Sequence, residues 1–126
     1  MTGQDIYERA CAYLMEKPDE DKTFSEHVLT LINALIAEAI PYQNSRNRAA
    51  GNPEISEAAI AALDEAVKLD PALAAVALPF GLASYFLQDE VDTYQAEVYR
   101  ARFDRALNDA RQCAPLDVTD VYGGDA

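Results

Sequence analysis

The chain has 126 residues, half of them hydrophobic, with two cysteines and one histidine. That length suits one domain with its own core and is too short for two. The 22 acidic against 10 basic side chains give a formal charge of −12, spread along the sequence, which disfavours nucleic acid and anionic membranes as partners and suits a basic protein or a neutral surface. No signal peptide or apolar run of membrane-spanning length stands out, so the chain reads as cytoplasmic in origin, with reduced cysteines.

The first helix is expected from about Gly3 to Glu16, with Thr2 as N-cap, Asp5 in the first turn, and Ile6, Ala10, Tyr13 and Leu14 on its buried side. Pro18 and Asp19-Glu20-Asp21 end it. Thr23 and Glu26 have capping-box spacing for a second helix that buries Val28, Leu31, Ile32, Leu35, Ile36 and Ala39. As the most apolar helix, it is expected at the centre of the core. Pro41 should kink or end it near Ala39 or Ile40, with helix resuming through Tyr42 to Ala50 as the alternative. Asn33 lies within it, either fixing packing through hydrogen bonds or facing solvent.

Gly51-Asn52-Pro53 breaks the pattern, and Ser56 is placed to cap a third helix with Ile60, Leu63 and Val67 inward and Ala59 as a further candidate for that stripe. Asp70 suits an N-cap with Pro71 at the first helical position. A short helix should follow through Val76 and another from Pro79 to Gln88, or the two form one kinked helix. Asp92 and Gln95 then open a long amphipathic helix, Thr93 to Cys113, with Ala96, Tyr99, Phe103, Ala106, Ala110 and Cys113 on one side. The expected architecture is an all-α, single-domain bundle of about five helices over residues 1–113, with a flexible tail over 114–126.

Chemistry-bearing constellations are scarce. His27 stands beside Glu26 with no nucleophile or orienting partner in pattern, and the sequence carries no H-E-x-x-H, P-loop or calcium-loop spacing. Cys11 and Cys113 sit near apolar stripes, as small buried hydrophobes do, and are too few for a zinc site. No enzyme activity, cofactor or metal is expected.

Contacts with other proteins are a better fit. Arg100, Arg102, Arg105 and Arg111 all lie on the last helix, where pairs such as Glu97 with Arg100 and Arg105 with Asp109 account for a solvated face. The same arginines suit an acidic neighbour, including another copy of this chain. Arg46 and Arg48 occupy the one polar stretch without acids. The tail carries Leu116, Val118, Val121 and Tyr122 among aspartates, as a frayed end or as a strand that docks on a neighbouring subunit. The candidate contact residues are therefore Arg46, Arg48, Arg100, Arg105, Arg111, Leu116, Val121 and Tyr122.

Three segments carry a resemblance: Asp5-Ile6-Tyr7-Glu8-Arg9-Ala10; Ile32-Asn33-Ala34-Leu35-Ile36-Ala37-Glu38; and Leu78-Pro79-Phe80-Gly81-Leu82-Ala83 with Asp89, Glu90, Asp92 and the stretch from Tyr99 to Phe103. In their order and spacing the chain resembles small helical proteins encoded in the structural gene clusters of tailed phages and prophages. The resemblance implies a head-tail connector: a non-enzymatic virion assembly subunit that meets the portal or neighbouring head-tail proteins, in a homo-oligomeric ring, without membrane or nucleic acid. It places the protein in the virion and, during assembly, in the bacterial host cytoplasm. The alternative is a small acidic interaction protein, a DNA mimic or an inhibitor, that occupies a basic site on another protein.

Overall fold

The computed structural model describes residues 1–18 and 22–112. It is all-α, with four helices where about five were expected: α1 (Gly3–Tyr13), α2 (Lys22–Ala50), α3 (Leu78–Asp89) and α4 (Thr93–Gln112). A π-helical segment, Ala72–Ala77, runs directly into α3. Among the described residues there is no strand, only an isolated antiparallel bridge between Thr2 and Ala66.

Each helix end has a local cause. Thr2 and Asp5 form a capping box on α1: the Asp5 amide donates to Thr2 Oγ1 at 3.1 Å, and the Thr2 amide donates to Asp5 Oδ2 at 2.9 Å. The Asp92 carboxylate likewise accepts from the Gln95 amide at the start of α4. α1 ends at Tyr13, short of the expected Glu16, because the chain turns into the left-handed region at Met15, φ 59°. There the Glu16 amide reaches back to the Cys11 carbonyl and the Met15 amide to that of Ala12. α3 ends identically at Val91, φ 60°, with Asp92 bonded to Leu87 and Val91 to Gln88.

Glycine normally fills such a position, and a β-branched side chain is a poor fit for it. Val91 is 82% exposed, so its side chain gains little from packing in return. Val91→Gly is expected to stabilise the fold by about 1 kcal/mol, read as a raised thermal midpoint.

The expected third helix, with Ser56, Ile60, Leu63 and Val67 in helical register, is absent, and this corrects the helix count. Residues 52–70 are irregular instead, because amide side chains of α2 hold their backbone. Asn33 donates to the Ile60 carbonyl at 2.9 Å and accepts from the Ile60 amide at 2.9 Å. Asn44 makes the same pair of bonds with Ile55, at 2.8 and 2.7 Å. Asn47 donates to the Pro53 carbonyl, and the buried Gln43 accepts from the Asp70 amide. At its far end this segment feeds α1: the Gly3 and Gln4 amides, unsatisfied within their own helix, donate to the Glu65 and Leu63 carbonyls.

Both internal prolines are accommodated without a helix break. α2 continues through Pro41 to Ala50; Pro41 and Ala37 lie on its exposed side, where water can serve the carbonyl that proline leaves without a donor. In the first turn of α3, Pro79 cannot donate to the Ala75 carbonyl, and the guanidinium of Arg9 donates to it instead at 2.7 Å. The two short helices expected around Leu78-Pro79 are thus one run. Its start was legible, since the Asp70 carbonyl accepts the amides of Leu73 and Ala74.

The core centres on α3, correcting the expectation for α2: α3 packs on each of the other three helices and most extensively on α4. Leu78 and Leu82 meet Ile6 and Tyr7 of α1, Ile32, Leu35 and Ile36 of α2, and Phe103 of α4 in one cluster. Cys11 joins it as a small buried hydrophobe, as expected, and Tyr7 and Leu107 join it unpredicted, whereas Tyr13 is 37% exposed. Ser84 closes the α3–α4 hairpin by donating to the buried Ala96 carbonyl at 2.7 Å. The run Ala72–Asp89 has a mean hydropathy of 1.3, long and apolar enough by composition to cross a membrane, so the expectation of no such run is also corrected. Its place at the centre of the core accounts for that composition, with 56% of it buried.

Candidate protein-contact face

Helix register sorts the arginines into those used inside the fold and those left outward. Arg46, only 17% exposed in its side chain, donates from Nε to Asp70 Oδ2 at 2.7 Å and from Nη1 to the Ala110 carbonyl at 2.6 Å. It ties the end of α2 to the entrance of the π-helical segment and to the last turn of α4, where carbonyls lack intrahelical donors. Arg48 pairs with Glu54 across the turn at Gly51. Arg100 grips Glu38 of α2 at 2.6 and 3.3 Å and lies 5.0 Å from the Phe103 ring centre. The Glu38 contact, reinforced by Asp104, holds its guanidinium protonated more firmly than usual. This corrects the expected pairing of Arg100 with Glu97: the ion pairs it makes among the described residues are with Glu38 and Asp104. Arg111 lies 5.3 Å from the Tyr42 ring centre.

Arg105, with a side chain 84% exposed, has among the described residues a long 3.9 Å contact to Asp109, the pair expected from spacing. An exposed pair of that kind contributes little to stability. Arg102 lies on the Tyr99 ring at 4.9 Å and has no carboxylate partner among the described residues. Of the candidate contact residues, Arg46 and Arg100 are thus built into the fold, while Arg105 is presented outward. Leu116, Val121 and Tyr122 lie outside the described residues.

Around Arg102 and Arg105 the fold assembles an aromatic surface with no local sequence signal. Tyr13 of α1 stacks on Phe80 of α3, with ring centres 5.1 Å apart and planes at 22°. Tyr99 of α4 lies 6.4 Å from Tyr13 and 6.3 Å from Phe80, and its hydroxyl donates to the Tyr13 carbonyl at 3.4 Å. Beside this triad, an apolar groove of about 280 Å³ runs between the π-helical segment and α4, lined by Ala72, Val76, Phe80, Ala106 and Ala110 and rimmed by Arg102, Arg105 and Asp109. Aromatic and arginine side chains around partly exposed apolar surface are the composition that dominates protein-interface energetics.

A larger cleft, about 760 Å³, opens between α1, α2 and α3, lined by residues that include Tyr7, Cys11, Glu16, His27, Phe86, Asp89 and Glu90. Its chemistry is weak. Burial pushes the Cys11 thiol up to about 11, with Glu16 adding to the rise and a Tyr7 hydrogen bond opposing it, so little thiolate exists near neutrality. The Glu90 carboxyl is held above its ordinary value by a hydrogen bond and like charge from Glu16, with Asp89 and Asp92 adding to the effect. A raised carboxyl favours the protonated folded state, so this contact opposes folding near neutrality and is relieved as pH falls through the carboxylate range. Among the described residues, no three His, Cys, Asp or Glu side chains gather as a metal site would require.

Comparison with family models, with curated proteins and with solved structures finds no match for the chain.

Proposed function

We propose that the protein is a non-enzymatic virion assembly subunit of a phage or prophage, a head-tail connector that meets the portal or neighbouring head-tail proteins through the face around Tyr13, Phe80 and Tyr99. The supporting observation is that stack, covered by Arg102 and continuous with the apolar groove beside Arg105, on a chain of net charge −12. Rings are closed by heterologous contacts, in which this face of one subunit meets a different and predominantly acidic surface of the next. The arginines would steer and register that encounter, while the aromatic rings and Val76 would supply the apolar burial. Such a subunit acts by being positioned, and it needs neither turnover nor cofactor.

The test is solution mass by light scattering at low and moderate salt, for the protein alone and with the portal protein from the same genome. A ring or a portal complex is expected, and Tyr99→Ala with Arg102→Glu should weaken it by about 30-fold or more, the scale of losing interface anchor residues. A strict monomer that ignores the portal overturns the proposal.

One observation favours the alternative of an acidic protein that occupies a basic site. Met15 and Val91 project from their left-handed turns, 92% and 82% exposed, next to Glu16, Asp89, Glu90 and Asp92. Exposed apolar side chains on strained turns, set among carboxylates, suit a basic pocket with apolar walls. Glu16→Lys with Glu90→Lys would abolish binding of that kind and leave the aromatic face untouched.

A further inference from the structure

We propose that copies of this chain join through two different patches: Met15 and Val91, on the turns that end α1 and α3, enter the groove between the π-helical segment and α4 of the next molecule. This contact rests on the assembly reading above and names the acidic surface that such a contact requires.

Met15 and Val91 are 92% and 82% exposed, each at a positive φ. The contact between Glu16 and Glu90 sets their two turns side by side, with Asp89 and Asp92 close by. Two apolar side chains thus project from a knob whose carboxylates outnumber the neighbouring Lys17. At that exposure neither side chain gains much from its own molecule, and Val91 is a β-branched residue where glycine belongs. A second molecule gives both a use.

The groove has the opposite character. Ala72, Val76, Phe80, Ala106 and Ala110 line it, and Arg102, Arg105 and Asp109 form its rim. Val76 is 47% exposed there. Arg102 has no carboxylate partner among the described residues, and among them Arg105 has the long contact to Asp109. At about 280 Å³ the groove falls below the usual size of a small-molecule pocket and suits projecting side chains. Aliphatic side chains framed by carboxylates would therefore meet an apolar groove framed by guanidiniums. The partner's Arg102 and Arg105 would take up the Glu16–Glu90 pair, whose hydrogen bond and like charge hold the Glu90 carboxyl above its ordinary value.

The knob cannot fill the groove of its own molecule. Val91 lies in the turn between α3 and α4, and the groove lies at the far end of that hairpin, about 15 Å or more away at helical rise. Ser84, bonded to the Ala96 carbonyl, and the packing of α3 on α4 hold the two ends apart. Each added subunit therefore leaves one knob and one groove free, until the arrangement closes on itself.

The experiment is sedimentation velocity on the full chain at up to about a millimolar. Two charge reversals are compared: Arg102→Glu with Arg105→Glu in the groove, and Glu16→Lys with Glu90→Lys on the knob. The natural chain should self-associate, and each variant alone should lose about 100-fold in affinity, because like charges then face each other. An equimolar mixture of the two should associate again, to within about tenfold of the natural chain, since every groove then meets a knob of opposite charge. All four side chains are exposed, so circular dichroism should show both variants folded. Val91→Gly gives an independent reading: association should weaken severalfold while the thermal midpoint rises, a pair of opposite signs that a purely structural role for Val91 would not produce.

Self-association that survives either reversal, or variants that stay apart when mixed, would overturn the proposal. A natural chain that stays monomeric overturns it too, and the portal protein then separates the two readings. Portal binding by that monomer leaves the connector reading standing without this contact, whereas no binding ends both.

Discussion

Gly81→Val is expected to cost about 3 kcal/mol or more, lowering the denaturation midpoint without changing the helical character of the residual native state. A Cβ on Gly81 would lie 2.6 Å from Leu35 Cδ2 and 3.1 Å from Phe103 Cδ1. Both neighbours are fully buried, so neither has solvent to move into. The glycine is there for the close approach of α3 to α2 and α4. Its intrinsic cost in a helix interior is about 1 kcal/mol, smaller than the packing it permits. Gly81→Ala gives back some of that cost and should be milder. Leu35→Ala in the Gly81→Val background should restore part of the stability although it is destabilising alone, and a double-mutant cycle by chemical denaturation would read that coupling. Independent, additive losses would show that the contact is not the cause.

Asn33→Ala is expected to cost about 2 kcal/mol and the double substitution Asn33→Ala with Asn44→Ala about 4 kcal/mol. Alanine is the better helix former, so the loss cannot come from α2 itself. It comes from the amide and carbonyl of Ile60, and in the double variant of Ile55, left without their side-chain partners. Hydrogen exchange would show increased opening at Ile60 before α2 or α4 is affected. Asn33→Asp separates the two bonds: a carboxylate still accepts from the Ile60 amide but cannot donate to its carbonyl. An intermediate loss is expected for it. If exchange at Ile60 stays as slow in Asn33→Ala as in the natural chain, the amide grip is not what orders this segment.

These two positions also show what the amino-acid pattern can and cannot convey. The faces of α2 and α4 were legible because Val28, Ile32, Leu35, Ile36 and Ala39, and likewise Ala96, Phe103, Ala106 and Ala110, recur at helical spacing and are buried. Caps at Thr2 and Asp92 were legible because each is a local side-chain signal, whereas Asp70 marks the start of its segment without capping it, its carboxylate being taken by Arg46. Residues 52–70 misled because Glu54 to Leu69 is rich in good helix formers, while the groups that override them lie on another element. A two-residue alternation was present all the same: Ala58 with Ile60, and Val67 with Leu69, are buried while Ala59 and Lys68 are exposed. That is the spacing of extended chain.

The candidate face was half legible. Four arginines on one helix could be counted, but which of them point inward depends on the approach of α2. Glu38 and Ala110 claim Arg100 and Arg46 only once the helices have packed. The aromatic triad was invisible because Tyr13, Phe80 and Tyr99 come from three separate helices.

The attachment of α1 bears on how the protein is made. Arg9 reaches Ala75, Tyr7 packs edge-on against Phe86 with ring centres 5.9 Å apart, and Tyr13 stacks on Phe80. Much of what holds the first helix therefore lies about 60 positions or more later in the chain. On the ribosome, α1 emerges well before its main partner, with Ile6 and Ala10 uncovered until α3 is free of the exit tunnel. Synthesis at about 5–20 residues per second sets that interval at several seconds, during which the nascent chain depends on its acidic charge, or on a chaperone, to stay apart from its neighbours.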